Sequence, residues 1–146
     1  ETAVAALRAA GAPGIAGLAA PQLGLSVRVI AVMEGDACRI FLNPEILVRS
    51  PRVVRGQEAC LSLPHVTAEV DRAAEIVFRA FDPERGEVTL GAEGWLAAVV
   101  QHEVDHLDGI LFIDRLSQAE RKLALREAAR LRQQLAEKPA LILPAA

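Results

Sequence analysis

The sequence predicts an α+β domain in which antiparallel or mixed β-sheets wrap around one central helix, with a second helix on the surface toward the carboxyl end. Three observations carry this. Short runs rich in Val and Ile, separated by Gly- and Pro-containing turns, occupy residues 27–90 without regular strand–helix alternation. Residues 94–107 are apolar almost all round at the helical period, which puts that helix in the interior. Ser117-Gln-Ala-Glu120 forms a capping box at the head of a stretch with Arg, Lys and Glu on one side and Leu and Ala on the other. A chain of 146 residues holds one such domain, spanning 1–146, with a core of its own.

The elements follow in order. Residues 2–10 are Ala-rich and predict a helix that ends near Gly11 to Gly14. Gly17-Leu-Ala-Ala-Pro-Gln22-Leu-Gly24 reads as an ordered loop whose small residues permit close backbone approach. Val27 to Met33 and Arg39 to Leu42 are strands; Asn43-Pro44 is expected to stop the second, and Gly35-Asp36 to turn between them as a hairpin. Val53 to Glu58 and Val66 to Val70 are shorter strands. Glu75 to Phe81 alternates, and Asp82-Pro-Glu-Arg-Gly86 turns into Glu87 to Leu90. The apolar helix 94–107 is ended by Gly109, and the surface helix runs to about Glu137.

Composition bounds the function. With 52% hydrophobic and 24% charged residues the chain reads as globular rather than disordered. The net charge is −3 and no basic stretch is interleaved with aromatics, so nucleic-acid binding has no support. No apolar run approaches a membrane span. The first residues lack a basic start followed by an apolar core, so no signal peptide is visible. Composition does not fix a compartment, and because the first residue is not Met a removed presequence stays open. Two cysteines, Cys38 and Cys60, are expected to be free thiols or a metal thiolate rather than a disulfide.

The strongest signal is His102-Glu103-Val-Asp-His106. Positions i and i+4 share one helix face, so both imidazoles can reach one cation, and Glu103 beside them can act as a base toward water. Two of only three histidines sit at this spacing. Two histidines need a further ligand. Downstream, Asp108 lies too close, Glu120 and Glu127 belong to a polar helix surface, and Asp114 remains; a zinc peptidase would draw on this set. Upstream, Cys60 stands where a strand ends before Pro64, and a thiolate is a good ligand for a borderline divalent ion. Taken alone, Cys60 reads as a buried, inert thiol, as Cys38 does.

Gly17-Leu-Ala-Ala-Pro-Gln22, Glu58-Ala-Cys60-Leu-Ser62 and Gln101-His102-Glu103-x-Asp-His106-Leu together resemble the three motifs of the peptide deformylases, in the same order and at comparable separations. The likeness runs from about Gly14 to Glu137. It implies a hydrolase that removes the formyl group from formyl-methionine at the amino terminus of newly made polypeptides. Cys60, His102 and His106 would hold the metal, with Glu103 as general base. The side-chain amide of Gln22 and the backbone N–H of Leu61 would stabilise the developing oxyanion. Trp95, Ala98 and Val99, with Ala16, Gly17 and Gly56 opposite, would line the substrate cleft, and Glu58 would order it through Arg72. The family implies iron(II) as the physiological ion, although two nitrogens and a sulfur also accept zinc, cobalt or nickel. It implies N-formylmethionyl peptides or nascent chains as partners, in the bacterial cytoplasm or in an organelle if a presequence was removed, with ribosome association and oligomeric state open.

Alternatives stay beside several of these roles. Gln22 alone reads as a loop glutamine and Glu58 as a solvated carboxylate. Asp105 is either a polar helix residue or the acceptor for a ligand histidine's ring N–H. His65 reads as a surface loop residue, with contact to substrate as the lesser alternative. Two departures from the family pattern bear on substrate choice. Ile15 stands where a Gly is usual, with Gly14 one step earlier, and Ala59 replaces the Gly of the second motif. The amino-terminal part of the fold is expected to be shortened. A deformylase-like amidase for another N-formyl substrate and a non-catalytic metal scaffold are the competing readings. The scaffold would need a fourth protein ligand.

Overall fold

The structure is a computed structural model that describes residues 2–11 and 15–137. Gly14 lies outside the described residues. The elements are α1 (Thr2–Ala10), β1 (Gly17–Ala19), β2 (Val29–Glu34), β3 (Ala37–Arg49), β4 (Val53–Cys60), β5 (Leu63–Ala73), β6 (Glu75–Asp82), β7 (Gly86–Glu93), α2 (Gly94–Leu107) and α3 (Gln118–Glu137). Single 3-10 turns occupy Ala20–Leu23 and Phe112–Arg115.

Five strands form one sheet in the order β1-β2-β3-β6-β7, and β4 pairs with β5 as a separate ribbon. Every pairing is antiparallel, which narrows the expected antiparallel or mixed arrangement. Helix α2 packs between the two. Its Ala97, Val100 and Val104 meet Ile30, Val32, Phe41, Phe78 and Ala80 on one face of the large sheet. Phe41 and Phe78 meet edge to face with centroids 5.2 Å apart, worth about 1 kcal/mol beyond their burial. The other face of β2 offers Val29 and Ala31 to Leu7 of α1 and to Leu18 and Ile40. Strand β2 is therefore buried on both faces, which is why it reads as an unbroken apolar run rather than an alternating one.

Several boundaries differ from the sequence expectation, among them β5, which runs over Leu63–Ala73 rather than Val66 to Val70, and three differences bear on the site. Residues 17–24 are not a loop throughout: β1 pairs Gly17 with Val32 and Ala19 with Ile30 before the 3-10 turn that begins at Ala20 and holds Pro21. Asn43-Pro44 does not stop β3. The strand absorbs the proline, which has no N–H to donate, in a register shift between Leu42 and Glu45, with Asn43 at φ 50. His65 is not in a loop either. It belongs to β5, at φ 68, inside a bulge that carries the chain from the Cys60–Leu63 pair to the Ala59–Thr67 pair.

Helix α3 packs on the β4–β5 ribbon. Its small residues Ala124 and Ala128 seat against Val66 and Val70 of β5 and against Phe112 and Ile113. The predicted capping box is present: Ser117 Oγ accepts from the Glu120 N–H at 3.1 Å, and Glu120 accepts from the Ser117 N–H at 3.3 Å. Arg55 of β4 binds Glu69, Asp71 and Glu120, tying the ribbon to the head of α3. In the middle of the interior helix, the buried Gln101 amide brackets Ala73: its oxygen accepts from the Ala73 N–H at 3.1 Å and its nitrogen donates to the Ala73 carbonyl at 2.9 Å. The ribbon and α2 are thus locked in register, which holds Cys60 and the two histidines at a fixed separation. Among the described residues no helix is long and apolar enough to cross a membrane.

Candidate metal centre and active site

Helix α2 presents His102 and His106 on one face, and β4 ends at Cys60 opposite them. The two Nε2 atoms are 3.2 Å apart, and Cys60 Sγ lies 3.2 Å from His106 Nε2. All three ligand atoms fall within 4.8 Å of one another. A tetrahedral ion with nitrogens about 2.1 Å and a sulfur about 2.3 Å away has ligand–ligand edges of about 3.3–3.6 Å. The cluster is thus sized for one first-row divalent cation. Downstream carboxylates are engaged elsewhere: Asp108 pairs with Arg28 at 2.9 Å, Asp114 accepts from the Leu111 N–H, Glu120 binds Arg55 and Glu127 binds Arg130. Among the described residues the ligand cluster has three members, the number that leaves a coordination position for water.

Electrostatics favour the thiolate form of the sulfur ligand, whereas His102 must give up a proton to bind a cation. Burial pushes the Cys60 thiol up, but the imidazoles of His102 and His106 and the Ser62 backbone more than offset it and hold the thiol at about 5. Burial pushes His102 down, whereas the nearby Cys60 sulfur and the Glu58 carboxylate raise it to about 9. A sulfur that already prefers the thiolate is prepared for a cation.

The support beneath the cluster is a chain of charges. Glu58 Oε1 lies 2.7 Å from His102 Nδ1, which turns Nε2 toward the centre. Burial raises Glu58, but His102 and Arg72 lower it to about 2. Arg72 grips both Glu58 oxygens at 2.9 Å and reaches Asp105 at 2.6 Å. Asp105 also takes Arg115 at 2.7 and 3.1 Å. Asp105 therefore does not serve a ligand histidine, because two guanidinium groups claim its oxygens; that role falls to Glu58. Sequence reasoning assigned no part to Arg115, which carries no motif and is brought to Asp105 by the 3-10 turn after α2.

Glu103 sits behind the ligands. It is 4% exposed and, among the described residues, its Oε2 has no hydrogen-bond partner. Burial raises it to about 7, despite the opposing pull of His102 and His106. Gly17 packs directly on it: a Cβ there would lie 2.9 Å from Glu103 Cγ and 3.0 Å from Val99 Cγ1. Gln22 is oriented from both ends. Its Oε1 accepts from the Ala19 N–H at 2.8 Å, so its amide nitrogen faces Ser62 Oγ at 3.2 Å and Cys60 Sγ at 3.5 Å.

A cleft of about 510 Å³ opens over these groups. Ala16, Gly17, Trp95, Ala98 and Val99 line it as expected by position, as do Gln22, Leu61 and Glu58. Ile15 and Ala59 also line it. Gly56 does not: it lies further along β4, outside the lining residues, with nothing within 4 Å of a would-be side chain. His65 does line the cleft, contrary to its reading as a surface loop residue.

Comparison with known proteins agrees with this geometry. The sequence profile of the polypeptide deformylases matches residues 3–122. The chain is 44% identical over 122 residues to a peptide deformylase of Treponema pallidum (strain Nichols), covering 84% of this chain and 75% of that protein. It is 43% identical over 128 residues to peptide deformylase 2 of Xanthomonas campestris pv. campestris, covering 86% and 74%. The crystal structure of a peptide deformylase from Legionella pneumophila superposes with a TM-score of 0.73 at 35% identity, covering 85% of this chain and 75% of that one. With its helix-borne histidines facing a strand-end cysteine and its sequence matched over most of its length, the chain belongs to the peptide deformylase family of enzymes.

Proposed function

We propose that the chain acts as a metal-dependent hydrolase through Cys60, His102, His106 and Glu103, removing the formyl group from formyl-methionine at the amino terminus of newly made polypeptides. The observation that carries this reading is the convergence of three ligand atoms beside a buried, partnerless carboxylate oxygen on the floor of an apolar cleft.

A divalent cation held by Cys60, His102 and His106 would supply Lewis acidity and make water a nucleophile near neutral pH. Iron(II) is the physiological ion in this reading. Glu103 accepts the proton of the attacking water as its oxygen bonds to the formyl carbon. The former carbonyl oxygen takes on negative charge, which the Gln22 amide and the backbone N–H of Leu61 meet as fixed donors. The carbon–nitrogen bond then breaks, and Glu103 returns its proton to the departing amine, leaving formate and a free amino terminus. Ala98, Val99 and Trp95 on α2, with Ala16 and Gly17 across the cleft, give the apolar methionine side chain a dry wall. Glu58 works on His102 rather than on substrate.

Residues 1–146 act as one catalytic domain in this reading, on nascent chains in the bacterial cytoplasm and beside the ribosome. A second reading, a relative acting on a different N-formyl compound, is favoured by Ile15 and Ala59, which line the cleft where the family pattern has glycine. One experiment addresses both. Formate release is measured from formyl-Met-Ala and from a panel of small formamides, with metal analysis of the same sample, for the wild type and Glu103→Ala. Turnover of the peptide, lost in Glu103→Ala while metal is retained, supports the first reading. Turnover confined to small formamides supports the second. Full turnover in Glu103→Ala removes that residue as the base.

A further inference from the structure

The bulge in β5 does more than join two registers. Cys60 pairs with Leu63 and Ala59 with Thr67, so Pro64, His65 and Val66 are extra to the ladder. Bulges next to active sites commonly re-aim a side chain. Here Val66 turns inward, 3% exposed, into the cluster with Phe112 and Ile113, which anchors the excursion. His65 takes the left-handed conformation, φ 68, and its exposed side chain lines the cleft. A positive φ on a residue other than glycine is uncommon.

The charged company of the cleft is small. Its titratable lining groups are Glu58, Cys60, His65, His102 and Glu103. Cys60, His102 and Glu103 belong to the metal centre, and Glu58 is neutralised by Arg72 and His102. Among the described residues no Arg or Lys lines the cleft. Among the described residues His65 is thus the one charge-capable lining group outside that centre and its support. Its ring offers an N–H in either protonation state. Its best complement is a carboxylate, because hydrogen bonds to an ionised acceptor are the stronger ones.

We propose that His65 is a specificity-determining residue that selects peptides carrying an acidic side chain at one of the two positions after the formylated residue. This rests on the deformylase reading of the cleft. The effect is that of one exposed charge-assisted contact, about two- to fivefold in kcat/KM.

The test compares Asp with Asn in formyl-Met-Asp-Ala and formyl-Met-Ala-Asp and their amide counterparts. It uses the metal-loaded wild type and His65→Gly, a residue that accepts φ 68 without strain. Binding of the deformylated product peptides is measured in parallel by titration calorimetry. The expected result is an Asp-over-Asn ratio of about two- to fivefold at one position in the wild type, falling to about one in His65→Gly, with the difference in KM and in product affinity. A ratio near one in the wild type, or the same ratio in both proteins, overturns the inference and leaves the deformylase reading standing. Preferential binding of acidic products without formate release from any peptide overturns the deformylase reading and leaves the role of His65 standing.

Discussion

Glu58 Oε1 lies 2.7 Å from Nδ1 of His102, so a strand carboxylate sets the ring of a ligand carried by the central helix. The same carboxylate neutralises Arg72, which is 6% exposed and reaches on to Asp105. Replacing Glu58 with Gln removes the charge that aligns His102 and leaves a buried guanidinium with one partner. Metal affinity should fall about 10- to 100-fold, as for other groups that orient a ligand. Stability should fall by about 3 kcal/mol, the order of breaking a buried ion pair. Competition with a metal-binding dye and a denaturant melt measure the two effects separately. Unchanged metal affinity would show that His102 does not depend on this contact.

Gly17 and Glu103 are in closest approach across the cleft floor. A Cβ at position 17 would stand 2.9 Å from Glu103 Cγ and 3.0 Å from its Oε1, so one of them must move. Gly17→Ala should keep its metal but lose turnover, about 100-fold for a displacement near 1 Å, with about 1–3 kcal/mol of stability lost to overpacking. Steady-state formate release and metal content are the readouts. A fully active Gly17→Ala would mean that Glu103 tolerates the shift, which is hard to reconcile with a base held in place by packing.

Much of this centre was legible in the residues because its signals are local. The i, i+4 histidines need only a helix to converge, and the all-apolar flanks of 94–107 announce that helix and its burial. The Ser117–Glu120 capping box is a four-residue feature and appears as expected. What the residues hid is long-range. Asp105 could be read as a partner for histidine because nothing local reveals that Arg72, 33 positions away, and Arg115 converge on it. Asn43-Pro44 looks like a strand end because proline breaks a ladder; only pairing with β6 reveals that a bulge absorbs it. The bulge at His65 is invisible for the same reason, since register is a property of two strands.

The orientation of Gln22 makes a separable prediction. Its Oε1 is engaged by the Ala19 N–H, so the amide nitrogen is directed at the centre as a donor. Gln22→Glu keeps the acceptor for Ala19 and loses the donor, whereas Gln22→Leu loses both. Both should lower kcat about 100-fold, with KM changed far less, because the donor acts on charge that develops during the reaction. Should KM rise with kcat intact in both variants, Gln22 is a binding residue and the oxyanion is met elsewhere.

Cys60 and Cys38 provide an internal comparison for the metal. Cys60 is a thiolate-leaning sulfur 3.2 Å from His106 Nε2, whereas burial raises the Cys38 thiol and it packs with the α1 cluster. A serine hydroxyl does not ionise as a thiol does, so Cys60→Ser should lose most of its metal, while Cys38→Ser should keep a full complement. Chelation of the wild type should abolish turnover and lower thermal stability, since a ligand that binds only the folded state at 1,000 times its Kd contributes about 4 kcal/mol. In a domain of this size that corresponds to a loss of about 10 °C in Tm, recovered when iron(II), cobalt or zinc is restored. Cys60→Ser should melt near the chelated wild type and respond little to added ion. If it instead bound metal and melted like the untreated wild type, some other group would be completing the coordination sphere, and the argument from a strand-end thiolate would have to be abandoned.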